Sequence, residues 1–222
     1  MLIRLNPLSG KMQTKFLFFD LGNVLICFSN ERLFEQIGEA LGQTPQWVAD
    51  TLYCSEMTQK AECGQISTEE YYQMICDLLP ERNISFERLL PAVNDIFWLN
   101  EPMQPTLRRV AEAGIPRGIL SNIGPWHWEH CVKTYPEILQ NIPSNHVLSY
   151  KVGVMKPDRE IYAAAFRFAQ NAVPGIEPNE VLFIDDLKKN VQGAKDFGFQ
   201  SVQYSFNEHE KLLETLNSAC GL

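Results

Sequence analysis

Four short segments break an otherwise helical spacing of apolar positions along the chain. Phe16-Leu17-Phe18-Phe19 is continuously apolar and ends at Asp20. So short and uniform a run reads as a strand buried on both faces, as in the middle of a parallel sheet. Gly118-Ile119-Leu120-Ser121, Val181-Leu182-Phe183-Ile184-Asp185 and Ser201-Val202-Gln203-Tyr204 are of the same kind. Between them apolar residues recur at helical intervals. Pro105 to Ala113 carries Leu107, Val110 and Ala111 on one face and stops at Gly114, a helix-ending residue. Asp158 to Gln170 repeats Ile161, Tyr162, Ala165, Phe168 and Ala169, and Gln192 to Phe197 ends at Gly198. Strands alternating with helices predict a parallel α/β sheet.

Residues 29–100 depart from this rhythm, with little strand character and too much length for a plain loop. Helix signals recur there instead. Leu33, Phe34, Ile37 and Leu41 form one stripe, and Thr44-Pro45 offers an N-cap with proline at the first helical position before Trp47 and Val48. Ser67-Thr68-Glu69-Glu70 is a capping box, followed by Tyr71, Met74, Ile75, Leu78 and Leu79. Ser85 and Pro91 are each expected to open a further helix, burying Leu89, Leu90, Val93, Ile96 and Phe97. The predicted organisation is a polar leader over 1–13, an α/β core over 14–28 and 101–222, and a helical cap over 29–100. Met12 is an alternative initiator to Met1.

A length of 222 residues accommodates such a core and insert. Hydrophobic residues at 45% and charged residues at 21% exclude a disordered chain, and no apolar run reaches the ~18 residues of a membrane helix. The net charge of −8 lacks the basic excess of a nucleic-acid binder, so no nucleic-acid or membrane partner is expected. Six cysteines without a C-x-x-C pair read as separate thiols of a cytoplasmic protein. Composition leaves monomer and homodimer open.

In open parallel sheets ligands bind beyond the carboxyl ends of the strands. Asp20, Ser121-Asn122 and Asp185-Asp186 stand at three such ends, and Lys156 lies in the loop before the helix at Asp158. Singly, such residues serve as helix caps and turn formers. Together, three carboxylates on one edge repel one another unless a cation sits between them. A divalent ion with oxygen ligands is the economical solution, and Mg²⁺ is its usual form beside a phosphate.

Phe19-Asp20-Leu21-Gly22-Asn23-Val24-Leu25 resembles the first motif of the haloacid dehalogenase-like hydrolase superfamily. Ser121-Asn122 resembles its second, Lys156-Pro157 its third, and Ile184-Asp185-Asp186 with Asn190 its fourth. Order, spacing and the helical insert after the first strand all agree. The branch holding bacterial α-glucose-1-phosphate phosphatase and the phosphatase domain of soluble epoxide hydrolase is similar at Gly64-Gln65-Ile66-Ser67 and at Lys156-Pro157-Asp158 with Ile161-Tyr162. The resemblance implies a doubly wound, Rossmann-like parallel core with a helical-bundle cap. It also implies Mg²⁺-dependent hydrolysis of a small phosphorylated metabolite, such as a sugar phosphate. Asp20 would be the nucleophile, forming an aspartyl-phosphate, and a metal ligand. Gly22 would offer its backbone carbonyl and Asp186 its carboxylate to the metal, while Asp185 would hold a metal-bound water or orient Lys156. Ser121 and the Asn122 amide would bind phosphoryl oxygens, and Lys156 would neutralise charge on nucleophile and transferring group.

One departure stands out. The superfamily's phosphatases commonly carry a second aspartate two residues after the nucleophile, as general acid and base; here that position is Gly22. Loss of such a group costs about 10²–10⁴-fold. The alternatives are therefore a weakly active or non-catalytic binding protein and, further off, a 2-haloacid dehalogenase, which the Asp185-Asp186 pair disfavours. Outside these motifs, the rings of Pro125-Trp126-His127-Trp128 would stack on a substrate or pack the seam between cap and core. His127 and His130 lack a third metal ligand nearby, and Lys188-Lys189 reads as a solvated helix start. Trp47, Tyr71, Phe97 and Trp98 are expected in the cap's core.

Overall fold

The computed structural model describes residues 14–53, 55–79 and 84–222; the expected leader, Met12 and Cys54 lie outside the described residues. The chain opens with β1 (Phe16–Phe19) and β2 (Ile26–Phe28). Five helices follow: α1 (Asn30–Leu41), α2 (Pro45–Val48), α3 (Glu56–Glu62), α4 (Thr68–Leu78) and α5 (Phe86–Asn94). After β3 (Phe97–Leu99) come α6 (Met103–Glu112), β4 (Arg117–Ser121), α7 (Pro125–Thr134), α8 (Glu137–Asn141) and β5 (His146–Leu148). The chain closes with α9 (Ser149–Val152), α10 (Arg159–Ala172), β6 (Val181–Asp185), α11 (Lys188–Phe197), β7 (Gln200–Gln203) and α12 (His209–Cys220).

The main sheet is parallel throughout, in the order β5-β4-β1-β6-β7. Strand β1 is its centre, and its apolar run divides between two faces because strand side chains alternate. Leu17 and Phe19 join Leu107 and Val110 of α6, Cys131 of α7 and Leu212 and Leu216 of α12. Phe16 and Phe18 join Ile161, Tyr162 and Ala165 of α10 and Ala194 of α11. Two faces, each with its own helices, make the core doubly wound, as the alternation of strands and helices predicts. Strand β5 escaped the sequence pattern because three residues are too few to set a period.

Helices α1 to α5, the π-helical turn Ala49–Tyr53 after α2 and Ile96 after α5 build a third core from Leu33, Ile37, Leu41, Val48, Leu52, Met57, Ile75, Leu89 and Ile96. Ser67 and Glu70 form the expected capping box, and Thr44 caps α2 through the Trp47 amide. Three expectations are corrected. On α4 the packed face carries Tyr71, Tyr72 and Ile75, while Met74 and Leu78 are exposed. Pro91 lies within α5 rather than opening a helix; its fixed φ suits the helix and forfeits one amide. Phe97 and Trp98 leave the helical pattern to pair with β2, antiparallel, with Phe28 opposite Phe97 and Cys27 opposite Trp98. That pairing turns Trp98 outward, 48% exposed. Among the described residues no helix is long and apolar enough to cross a membrane.

Candidate active site

Strands β1, β4 and β6 end side by side, which brings Asp20, Ser121 and Asp185 to one edge. Lys156 arrives from the loop before α10 and is 3% exposed. Its ammonium lies 2.9 Å from Asp20 Oδ1 and 2.7 Å from Asp185 Oδ2, and donates to the Leu120 carbonyl at 3.0 Å. Three donors meet three acceptors, so the charge has one fixed position. Asn122 sets that position: its side chain accepts from the Lys156 amide at 2.7 Å and donates to the Lys156 carbonyl at 3.0 Å. The Asn122 side chain is thus spent on holding the Lys156 segment.

Asp185 is fully buried behind the lysine and takes bonds on both oxygens. Asn190 donates to each at 3.1 Å, and the Leu187 amide donates to Oδ1 at 2.8 Å. Asp186 accepts from Asn23 Nδ2 at 3.0 Å. One oxygen from each of Asp20, Asp185 and Asp186 falls within 4.8 Å of the others. Burial pushes Asp20 up to about 7, against Lys156 and with the help of the neighbouring Asp185 and Asp186 charges. Asp186 is raised by burial, against its hydrogen bond from Asn23 and with the help of the Asp185 charge. Burial alone would lower Lys156, but Asp20 and Asp185 outweigh it and hold the ammonium above its ordinary value. One cation thus faces three carboxylates, a deficit that a hard divalent cation with oxygen ligands would fill.

A Cβ on Gly22 would lie 2.9 Å from Cε1 of Phe28, so a side chain at this position requires the Phe28 ring of β2 to shift.

A cavity of 370 Å³, within the range of small-molecule sites, opens over this edge. Asp20, Gly22, Ser121, Asn122, Lys156 and Asp186 line it from the core. Asn30, Leu33 and Glu62 line it from the helical insert, with Ile96 and Phe97 where the chain returns. The sequence reading missed Asn30 and Glu62, polar residues with no motif around them. In the segment after Asn122, Trp126 packs the seam between insert and core, one of the two roles expected of these rings. Trp128 is buried in the core and Trp126 packs on Tyr71 at 4.8 Å, whereas His127 faces the cavity. Burial drives His127 down to about 4, and its Nε2 lies 3.3 Å from the Val93 carbonyl, so the ring is a neutral wall group.

A doubly wound α/β fold with a buried aspartate–lysine–aspartate cluster at its carboxyl edge defines a class of hydrolase. Residues 14–198 match the haloacid dehalogenase-like hydrolase family, and the chain belongs to it. A D-ribitol-5-phosphate phosphatase of Bacteroides thetaiotaomicron is 25% identical over 201 residues, covering 85% of this chain and 91% of the relative. The crystal structure of a family enzyme from the same organism, in complex with magnesium and inorganic phosphate, superposes with a TM-score of 0.76. It is 25% identical and covers 88% of this chain and 96% of that one. An L-2-haloacid dehalogenase of Xanthobacter autotrophicus shares the fold, with a TM-score of 0.60, 20% identity and coverage of 93% and 83%.

Proposed function

We propose that the chain is a Mg²⁺-dependent phosphatase that hydrolyses a small phosphate monoester of the sugar or polyol class. The observation that carries this reading is Lys156, buried between Asp20 and Asp185 with Asp186 alongside. A dehalogenase needs no Mg²⁺, so the paired carboxylates Asp185 and Asp186 beside Asp20 favour the phosphatase. The phosphate- and magnesium-binding relative and the D-ribitol-5-phosphate phosphatase support the same choice.

In this reading Asp20 attacks phosphorus while the bond from phosphorus to the ester oxygen breaks and that oxygen takes a proton from water; a second water then cleaves the aspartyl-phosphate, releasing inorganic phosphate and restoring Asp20. Oδ1 of Asp20 accepts from Lys156 and from the Leu21 amide at 2.7 Å, which aims the carboxylate. Mg²⁺, held by Asp20, Asp186 and the Gly22 carbonyl, would neutralise phosphoryl charge. Ser121 and the backbone amide of Asn122 donate to the phosphoryl oxygens, and Asp185 orients Lys156 rather than meeting the substrate. The division into a core (14–28 and 101–222) and a cap (29–100) gives the helical insert the task of excluding water during transfer.

Gly22 favours a second reading, a slow or purely binding protein, because no acidic side chain stands two residues after Asp20. Hydrolysis of p-nitrophenyl phosphate and a panel of sugar and polyol phosphates separates the two. The assay is run with Mg²⁺, with chelator, and with Asp20→Asn as the blank. Turnover that needs both Mg²⁺ and Asp20 supports the phosphatase; none above the blank on any ester leaves only binding.

A further inference from the structure

The two walls of the cavity differ in what they leave unpaired. On the insert's side, Glu62 at the end of α3 lines the cavity, yet among the described residues no hydrogen bond or ion pair reaches its carboxylate. Its backbone is fixed from two directions. The Glu62 carbonyl accepts from Ser149 Oγ at 2.6 Å, and that same hydroxyl oxygen accepts from the Ile123 amide at 2.9 Å, immediately after Asn122. Two residues on, Gly64 has φ +65°, and a Cβ there would sit 2.1 Å from the Tyr150 carbonyl, so the turn is pressed onto the core. A part-buried carboxylate so anchored is favoured by any group that donates to it.

Asn30 repeats the pattern. Its Oδ1 is buried without a partner, and the residue lines the same cavity. Between these two acceptors the wall is apolar, formed by Leu33, Ile96 and Phe97. Glu62 lines the cavity from the insert, whereas Asp20 and Asp186 line it from the sheet edge, and burial raises Glu62 to about 7. The group it meets therefore lies along the alcohol half of the ester, beyond the ester oxygen.

Resting on the phosphatase reading, we propose that Glu62 is the residue through which the cap selects its substrate, accepting a hydroxyl of a polyhydroxylated leaving group. Asn30 receives a second hydroxyl, and the carbon skeleton lies on Leu33 and Phe97. Two orphan acceptors call for several donors, as a polyol supplies. A second anionic group on the substrate would meet like charge at Glu62 and is excluded.

The test compares a pentitol 5-phosphate with n-pentyl phosphate, which has the same chain length without hydroxyls. The full chain is assayed with Mg²⁺, and p-nitrophenyl phosphate serves as the general ester. Wild type is expected to prefer the pentitol ester by about 10²-fold in kcat/KM, since a site built to bond hydroxyls rejects the analogue lacking them. In Glu62→Leu this ratio falls at least about tenfold, through KM on the pentitol ester. Glu62→Gln, which keeps one acceptor oxygen, falls between; each ratio is internal to one protein and so independent of how much folds. An unchanged ratio in Glu62→Leu, or a wild type without preference, overturns the inference and leaves the phosphatase standing. An equal fall in kcat on all three esters also overturns it, making Glu62 a proton donor or a structural residue. No Mg²⁺-dependent turnover of any ester by wild type overturns the phosphatase reading, and the inference with it.

Discussion

The core wall of the cavity and the cap wall are built on opposite principles. At the sheet edge each charged side chain is held by named partners: Lys156 lies between Asp20 and Asp185, Asn190 braces Asp185, and Asn23 holds Asp186. Across the cavity, among the described residues, no hydrogen bond or ion pair reaches the Glu62 carboxylate, and Asn30 presents an unpaired oxygen. The first wall is fixed in place apart from the cation its carboxylates call for, and suits a group that never changes, the phosphoryl group. The second is completed by the ligand, which is where selectivity has to reside.

The sharpest way to break the comparison is at the nucleophile. Asp20→Asn should abolish turnover, by about 10³-fold or more, while the melting temperature holds or rises because a buried charge is gone; steady-state rates and a thermal melt check both. Lys156→Met should be the most destabilising change at the site. It strands Asp20 and Asp185 as buried unpaired carboxylates, at a cost of about 3–5 kcal/mol, read as a fall of about 10 °C in Tm.

A smaller effect is expected at the missing acid. Gly22→Asp should cost about 2 kcal/mol through its clash with the Phe28 ring, without raising turnover. Adding Phe28→Leu should make the pair less destabilised than the sum of the two single changes, by about 1 kcal/mol in a denaturation cycle. Strict additivity would show that the ring does not occupy the acid's place.

The smallest effect concerns Glu62 and pH. Its folded value of about 7 exceeds the ordinary 4.5, so between these values the folded state binds more protons than the unfolded. Stability from this group is therefore present in full below about pH 4.5 and lost as pH rises through 7. Glu62→Gln removes the penalty. Its stability relative to wild type should grow by ~1–2 kcal/mol from pH 4.5 to 8, the value being held down by water in the cavity. Parallel pH profiles of Tm would contradict it.

The core wall was legible from the sequence because each of its members ends a strand. A fully apolar run fixes the strand, and a lone Asp or Ser after it falls on the ligand edge. Lys156 needed more, since its position before α10 gains meaning only beside the two aspartates. The cap wall was illegible for a physical reason. Glu62 is placed by Ser149, 87 positions away, and a polar residue ending a helix carries no local sign of which way it faces. Phe97-Trp98 misled because two apolar residues after a helix continue its pattern equally well; only pairing with Ile26–Phe28 decides for a strand. Gly22 was legible as a departure, but the ring beside it was not.

The pairing of β2 with β3 also bears on how such a chain came to exist. The polypeptide leaves the core along one strand and returns along its antiparallel neighbour, with Ile26 opposite Leu99 and Phe28 opposite Phe97. Entry and exit are thus about 5 Å apart, the span of a hairpin turn. An ancestral core with a tight turn at this point could have gained the whole helical lobe by one insertion, without moving a sheet strand. The lobe can be exchanged by the same route, so new selectivity is acquired by transplantation while the catalytic edge stays as it is.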